Sequence, residues 1–381
     1  MFRYKLLFKN PEFYFIKTPQ NNDLIYLNLY NKYFPPEKFL TAHLFERYFL
    51  ILINEKFKIT SFKGSTSLYS TNLEIGVQND KLLIDIVNTV FDLEFMEEYF
   101  HLVKEKLINE IKITNLNTEN ILYNLAKKLA FKNVKILTNE EQLSILKKLN
   151  LNDIKNFYKN DFLNNHLKIF VSSSDTSLLR ELSKYKFSKA KAYKIPSFNL
   201  YLNQKIIFRK HKQLNDFYYC FLFIKLPFKI KSLDRALIIK ILATYLKLKI
   251  QEEFMDIDIY RMNFTLEELL NNHYLCFYFL SKNKQSIYKG LQIIFKNLKY
   301  FKNKWDNDLF KNLLKPFLSN FSRNLTLPKK LEIFIQSLLF LRKPINFSYT
   351  RKKIIKINRG SIFRLIDQIN KSPERSAIIF Y

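Results

Sequence analysis

The segment with the clearest potential for chemistry is His43-Leu44-Phe45-Glu46-Arg47, which reads H-x-x-E-R within a strongly apolar stretch. In the related pattern H-x-x-E-H, two imidazoles on one helical face bind a zinc ion, and the glutamate is the general base for the metal-bound water. Arg47 stands where the second imidazole would be, and a guanidinium stays protonated and cannot donate a lone pair to a metal. The segment therefore predicts either a zinc site that has lost a ligand or a chance similarity, because a lone histidine on an apolar helix is more often structural.

Two further segments carry polar groups that fit such a site. Lys63–Ser67 (K-G-S-T-S), followed by Thr71, falls in a predicted pair of strands directly after the helix. Glu110 lies late on a later predicted helix, in the run Lys106–Ile111. Each segment alone is weak evidence for a site, so the interpretation depends on the elements that surround them.

Hydrophobic periodicity predicts the same order of elements twice: a pair of strands, a long helix, a second pair of strands, a block of helices and a closing strand. The long helices are predicted at residues 37–53 and 233–252. The predicted fold class is α+β, with two homologous α/β domains formed by duplication, each a mostly antiparallel sheet with helices packed on one face. We expect the domains at residues 1–187 and 199–381, joined by a linker at about residues 188–198.

With this layout, the motifs resemble those of the pitrilysin/insulinase family of zinc metallopeptidases, in its two-domain processing-peptidase branch, of which the chain looks like a degenerate member. The family carries A-H-F-L-E-H on its first helix, N-A-x-T-S-x-E-x-T on a strand, and a later glutamate in a V-I-L-x-E-I-like stretch. The resemblance implies site residues at the matching positions: the metal ligands His43 and Glu110, the general base Glu46 if the chain is active, and the substrate-binding residues Thr66, Ser67 and Tyr260.

The departures from the family pattern concern both the metal and the substrate. Arg47 replaces a zinc ligand, Lys63 replaces an asparagine that faces the substrate, and Glu253 stands where an arginine of a substrate clamp is expected. Because catalytic zinc sites normally use three protein ligands, zinc, the cofactor of the family, is expected to be absent or weakly bound here. We expect the Arg47 guanidinium to fill the metal position instead and to pair with Glu110 or Glu46, which restores the charge balance.

The resemblance implies a processing-peptidase-like subunit that binds unfolded or extended peptides in a two-chain clamshell, by strand addition to a sheet edge. The first hypothesis is a non-catalytic or weakly active partner, paired with a homologous catalytic subunit as a heterodimer or with itself. One alternative is an active zinc metalloendopeptidase that uses Glu46 as general base despite Arg47. A second alternative, raised by the net charge of +29, is a basic nucleic-acid-binding protein.

Composition limits the remaining possibilities. The lysines are spread along the whole chain and accompany many Asn, Phe and Tyr residues, as A/T-rich codons would produce, which argues against nucleic acid as the partner. The four glycines stand apart, so there is no dinucleotide fingerprint and no phosphate-binding loop. Cys220 and Cys276 lie in apolar strand-like runs and are expected to be buried free thiols. No membrane-length apolar run and no signal-peptide pattern is visible, so we expect a cytoplasmic protein without a membrane partner.

Overall fold

The computed structural model divides the chain into two compact units. The described residues are 2–9, 12–19, 23–30, 35–59, 61–67, 70–77, 79–114, 116–132, 135–163, 167–184, 202–211, 214, 216–227, 233–269, 272–319, 326–341, 344–371 and 374–381. The first unit comprises Met1–Asn117 and Lys135–Ser197, and the second comprises Thr118–Val134 and Phe198–Tyr381. The predicted linker, residues 188–198, lies outside the described residues.

Groups of strands alternate with single helices or groups of helices along both units. The strands are β1 (Arg3–Lys9), β2 (Glu12–Lys17), β3 (Asp23–Tyr30), β4 (Phe62–Thr66), β5 (Ser70–Val77), β6 (Leu167–Ser173), β7 (Ile206–Arg209), β8 (Tyr218–Lys225), β9 (Arg261–Leu269), β10 (Asn272–Ser281) and β11 (Arg375–Phe380). The α-helices are α1 (Pro36–Phe57), α2 (Asp80–Phe91), α3 (Glu97–Thr114), α4 (Thr118–Ala130), α5 (Asn139–Lys148), α6 (Leu151–Phe157), α7 (Leu178–Leu182), α8 (Leu233–Phe254), α9 (Lys284–Lys299), α10 (Asn307–Ser319), α11 (Leu327–Leu341), α12 (Phe347–Ile355) and α13 (Arg359–Lys371). A π-helical segment, Tyr158–Phe162, continues α6.

The two units share the topology of five strands, and the first sheet has β1 as an additional edge strand. The first sheet has the order β1-β2-β6-β3-β5-β4, and the second has the order β7-β11-β8-β10-β9. In each sheet one pair is parallel, β2 with β6 and β7 with β11, and the other neighbouring pairs of these described strands are antiparallel. A helix of 22 residues, α1 or α8, joins the matching strands. The predicted α+β fold with a duplicated, mostly antiparallel sheet is therefore confirmed.

The duplication extends to individual hydrogen bonds. The Tyr48 hydroxyl on α1 accepts a bond from the Met96 backbone N–H at 2.7 Å and donates to the Glu94 carbonyl at 3.3 Å. On α8, the Tyr245 hydroxyl accepts from the Asp306 N–H at 2.6 Å and donates to the Lys304 carbonyl at 3.3 Å. Each tyrosine is the thirteenth residue of its helix (48 − 35 and 245 − 232). The two helices can therefore be compared residue by residue.

Helix α1 carries the candidate site and lies inside the core of the first unit. Pro36 is its first residue, where the N–H that proline lacks would have no helical partner anyway. Leu44, Phe45 and Phe49 are fully buried in the hydrophobic core of this unit. The helix ends at Lys58, whose backbone is left-handed with φ 52°. Because this core packs against the buried side of α1, the buried Glu46 on that side has little freedom of position.

Helix α4 belongs to the second unit, although in sequence it precedes the last strand of the first sheet. It packs against β8 and β11. Asn203 donates its backbone N–H to the Ala130 carbonyl at 2.9 Å, and Phe131 forms a β-bridge with Leu202. The second unit is thus built from two separate parts of the chain.

Two expectations from the sequence concern the cysteines and membrane-spanning helices. Cys220 and Cys276 are buried and free, as predicted. Within the described ranges, no helix combines the length and the apolar character needed to cross a membrane.

Candidate functional site

The site is formed where α1 packs against the edge strand β4. Glu46 lies on the buried side of α1 and is only 1% exposed. Thr66, at the end of β4, donates its hydroxyl to Glu46 Oε2 at 2.5 Å, and its oxygen is 3.2 Å from that of Thr71 on β5. A carboxylate inside the protein costs free energy unless it is hydrogen-bonded, so this bond compensates part of the burial. Burial still raises the pKa of Glu46, and the bond from Thr66 and the charge of Arg47 counteract that rise.

Gly64 provides the space that the Glu46 carboxylate occupies. A Cβ on residue 64 would overlap Glu46 Oε1, and it would lie 2.8 Å from Glu46 Cδ and 2.6 Å from Leu50 Cδ1. No glycine in the described ranges has a positive φ, so the requirement at residue 64 is spatial and not conformational. A lone glycine within a strand pattern is the sequence signal for such close approach. Gly64 lies within the K-G-S-T-S segment, but no motif of the sequence marks it as a site residue.

Arg47 connects α1 to α3. Its Nη2 lies 3.2 Å from Glu110 Oε2, and its Nε lies 3.9 Å from Glu46 Oε1. The side chains of Arg47 and Glu110 are 44% and 48% exposed, so solvent screens much of their attraction. The predicted pairing of the arginine with a carboxylate is confirmed, and Glu110 is the nearer partner.

His43 lies one helical turn before Arg47 and is largely buried, with its ring 6.1 Å from that of Phe39. Burial lowers the pKa of His43 from 6.5 to about 4, and the positive charge of Arg47 contributes to the shift. The imidazole is therefore neutral at pH 7. His43 thus retains the protonation state of a metal ligand, whereas Arg47 beside it cannot be one.

The remaining predicted substrate-binding residues lie in different places. Ser67 follows β4, and its Oγ accepts the backbone N–H of Ser70 at 3.1 Å. Tyr260 belongs to the second unit, where it directly precedes β9. Its side chain is 56% exposed and packs edge-on against Phe217, with ring centroids 5.5 Å apart. Their role in substrate binding stays a prediction.

The second unit provides an internal comparison for the helical part of the site. Glu46 is the eleventh residue of α1, and Ala243 is the eleventh residue of α8 (46 − 35 and 243 − 232). By the same count, His43 matches Lys240 and Arg47 matches Thr244. Ala243 is 7% exposed, so the position is buried in both units. A buried carboxylate is therefore present in one copy of the helix and absent from the other.

The strand residues of the site also differ between the two units, because the second unit has apolar residues at the matching positions. Asn79 caps the helix that follows β5, and Asn283 caps the helix that follows β10. Matching these two caps aligns β5 with β10 residue by residue. The strand registers then match three residues of the polar site with three apolar residues: Gly64 with Phe264, Thr66 with Leu266, and Thr71 with Leu275. One topology therefore accepts a polar set in the first unit and an apolar set in the second. The fold by itself does not require the polar set.

The fold is identified by comparison with solved structures. No protein-family model matches the chain, and no curated protein sequence matches it either. A protease from Helicobacter pylori matches with a TM-score of 0.72 and 13% identity over 100% of both chains. An M16-like peptidase from Alicyclobacillus acidocaldarius matches with a TM-score of 0.73 and 10% identity, over 100% of this chain and 98% of that one.

The chain has the fold of the M16-like peptidases. The resemblance to the pitrilysin/insulinase family is thereby confirmed for the fold. The ferredoxin protease FusC, solved in complex with Arabidopsis ferredoxin, is also similar, with a TM-score of 0.69 and 12% identity, and this chain spans 47% of it.

The M16-like neighbours imply zinc in their family, and the described donors around His43 in this chain do not match a catalytic zinc site, because Arg47 stands at a ligand position. Among the described residues, no group of three or more His, Cys, Asp or Glu side chains is arranged to hold a metal ion. The guanidinium of Arg47 pairs with the carboxylate of Glu110, and the hydroxyl of Thr66 donates a hydrogen bond to the carboxylate of Glu46. The donor set therefore lacks the three protein ligands of a catalytic zinc site.

Proposed function

We propose that the chain is a peptidase-like subunit that binds extended peptides and has little or no catalytic activity of its own. The observation that carries this proposal is the Arg47–Glu110 ion pair at 3.2 Å, which joins a cation to a carboxylate that would serve as a zinc ligand in the family. With His43 as the remaining predicted ligand, the affinity for zinc would be low.

The edge strand β4 is the proposed receiver of the peptide. It is the last strand of its sheet, and all its residues except Thr66 are exposed. An edge strand presents unpaired N–H and C=O groups, to which an extended peptide can add as a further strand. Strand addition is independent of zinc, so a subunit without the metal could keep this part of the function.

The proposed partner is a homologous catalytic chain, or a second copy of this one, which together would form a two-chain clamshell. A subunit without a complete metal site needs a catalytic partner if the assembly is to cleave peptides. The similarity to FusC, solved with a protein bound, supports a peptide or protein ligand. Size-exclusion chromatography with light scattering, with and without the homologous chain, tests the assembly. Cell fractionation tests the proposed cytoplasmic location.

The substitution Arg47→His tests the main proposal. It would restore H-x-x-E-H and free the Glu110 carboxylate, so we expect zinc affinity to rise by at least about a hundredfold, since a zinc ligand contributes on the order of 3 kcal/mol. The control Arg47→Gln removes the charge without supplying an imidazole and should not bind zinc tightly. Zinc titration and peptide-binding anisotropy measure both effects.

The unmodified chain should bind an extended peptide without cleaving it. Stoichiometric zinc in the purified chain, together with peptide cleavage that a chelator abolishes, would refute the proposal. That result would favour the alternative of an active metalloendopeptidase with Glu46 as general base.

A second candidate function, nucleic-acid binding, is favoured by one surface. Arg351 and Lys352 of α12, Lys356 directly after it and Arg359 at the start of α13 are exposed. Exposed Tyr349 lies beside them. RNA binding that weakens steeply with salt would support this function, and its absence would exclude it.

A further inference from the structure

We infer that Glu46 is a positioning residue, whose buried carboxylate anchors the edge strand β4 to helix α1 and keeps that strand ready for an added peptide. This inference rests on the proposed function, because it takes β4 as the strand that receives the peptide. It assigns to Glu46 a role other than that of a general base.

Two contacts join the carboxylate to β4, besides the 3.9 Å approach of Arg47 Nε on α1 itself to Glu46 Oε1. One oxygen accepts the hydroxyl of Thr66, at the last residue of the strand, at 2.5 Å. The other faces Gly64, two residues earlier, at a distance that leaves no room for a Cβ. Glu46 thus contacts β4 at two alternate residues, which point to the same side of a strand. The strand is fixed against α1 by a charged hydrogen bond and by a close steric fit.

Such an anchor matters because β4 is an edge strand. It pairs with β5 on one side, and among the described strands none pairs with it on the other. A peptide that adds to the free side needs the N–H and C=O groups of β4 in fixed positions, and ordering them during binding would lower the affinity. The contact with α1 supplies that order before the peptide arrives.

The second unit shows that the sheet does not need this anchor in order to form. There the matching positions hold Ala243, Phe264 and Leu266, and β9 still pairs with β10 over its whole length. Replacing buried polar groups by well-packed apolar residues is often neutral or stabilising. The polar set of the first unit therefore has a use beyond folding, and fixing the peptide-receiving strand is the use that its contacts support.

Conservative variants of the full chain separate an anchor from a general base. Thr66→Val removes the donor with little change in shape, whereas Thr66→Ser keeps it. Glu46→Gln keeps an acceptor for Thr66 but cannot act as a base, and Glu46→Ala removes the group. Hydrogen exchange of the β4 amides and anisotropy of a bound extended peptide are measured for each variant. Thr89→Val is the matched control, since it removes a hydroxyl that donates to the Asp85 carbonyl at 2.9 Å within α2.

We expect Thr66→Val and Glu46→Ala to accelerate exchange of the β4 amides, and to weaken peptide binding, by about tenfold or more. Thr66→Ser and Glu46→Gln should stay within about threefold of the unmodified chain in both measurements, and Thr89→Val should leave β4 unchanged. The inference is overturned if Glu46→Gln is as damaging as Glu46→Ala, or if exchange changes while peptide affinity does not. If the unmodified chain binds no peptide, the proposed function fails, and exchange alone then decides whether Glu46 anchors the strand.

Discussion

Gly64→Ala is the sharpest test of the fit between β4 and α1. The added Cβ would overlap Glu46 Oε1 and approach Leu50 Cδ1 to 2.6 Å, inside a site where Glu46 is 1% exposed. Forcing an extra methyl group against the buried Glu46 side chain costs about 1–3 kcal/mol, and displacing Glu46 weakens a charged hydrogen bond that contributes about 1.5–3 kcal/mol. Glycine replacement offsets about 0.4–1 kcal/mol through the unfolded chain. We expect a net loss of about 2–4 kcal/mol of unfolding free energy.

A double-mutant cycle shows whether Glu46 causes that loss. In a Glu46→Ala background the carboxylate is gone and only the flexible end of Leu50 remains near the new Cβ. Gly64→Ala should then cost less than about 1 kcal/mol, which leaves a coupling energy of about 2 kcal/mol. Gly76→Ala is the control, because its Cβ would meet only Ser61, with nearest atoms at 3.1 Å.

Calorimetry can measure the effect on the first unit separately. A loss of this size should lower its transition by about 5–15 °C. Trp305, the one tryptophan of the chain, belongs to the second unit, so its fluorescence should report a nearly unchanged transition there. An equal cost of Gly64→Ala with and without the Glu46 carboxylate would refute the argument that this carboxylate occupies the space.

Three further predictions concern charge. Burial raises the pKa of Glu46 above 4.5, so the folded state keeps the proton to a higher pH than the unfolded state, and the free energy of unfolding falls as pH rises through the folded pKa. Glu46→Gln should remove this loss. In urea unfolding, the variant should therefore match the unmodified chain below pH 4.5 and exceed its stability increasingly at higher pH, up to a constant difference. Because the pKa of His43 is lowered to about 4, stability should fall by up to about 3 kcal/mol between pH 6.5 and pH 4, and an unchanged acid profile in His43→Asn would contradict this. Arg47→Ala should cost less than about 1 kcal/mol and lose its effect at 1 M salt, because the bridge to Glu110 is half exposed.

Local patterns predicted the elements that carry the site but not all their boundaries. Periodicity predicts the first long helix at residues 37–53, whereas α1 extends to Phe57 and β4 begins only at Phe62. The helix ends at Lys58 in a left-handed conformation that glycine usually adopts, so no glycine marked the end.

Long-range packing limited the prediction of the site. The Arg47–Glu110 pair followed from the family resemblance, which implies that Glu110 lies at the site, and from charge, since a cation beside two carboxylates is favourable. The fit of Gly64 to Glu46 depends on how closely β4 approaches α1, which periodicity does not contain. Helix α4 is amphipathic in sequence, and the pattern cannot tell which of two similar sheets its apolar side covers.

The two units fill the matching positions around their long helices with different groups. The apolar set around Ala243 fills the same positions with groups that need no hydrogen bonds. The polar set around Glu46 buries a carboxylate, which destabilises the unit at neutral pH because burial raises the pKa of that group. Because Arg47 cannot bind zinc, a catalytic metal site does not account for this loss of stability. If the apolar residues of the second unit were placed around α1, the first unit should therefore become more stable. Peptide binding by that variant would decide whether the carboxylate serves the edge strand or remains only as a trace of a lost metal site.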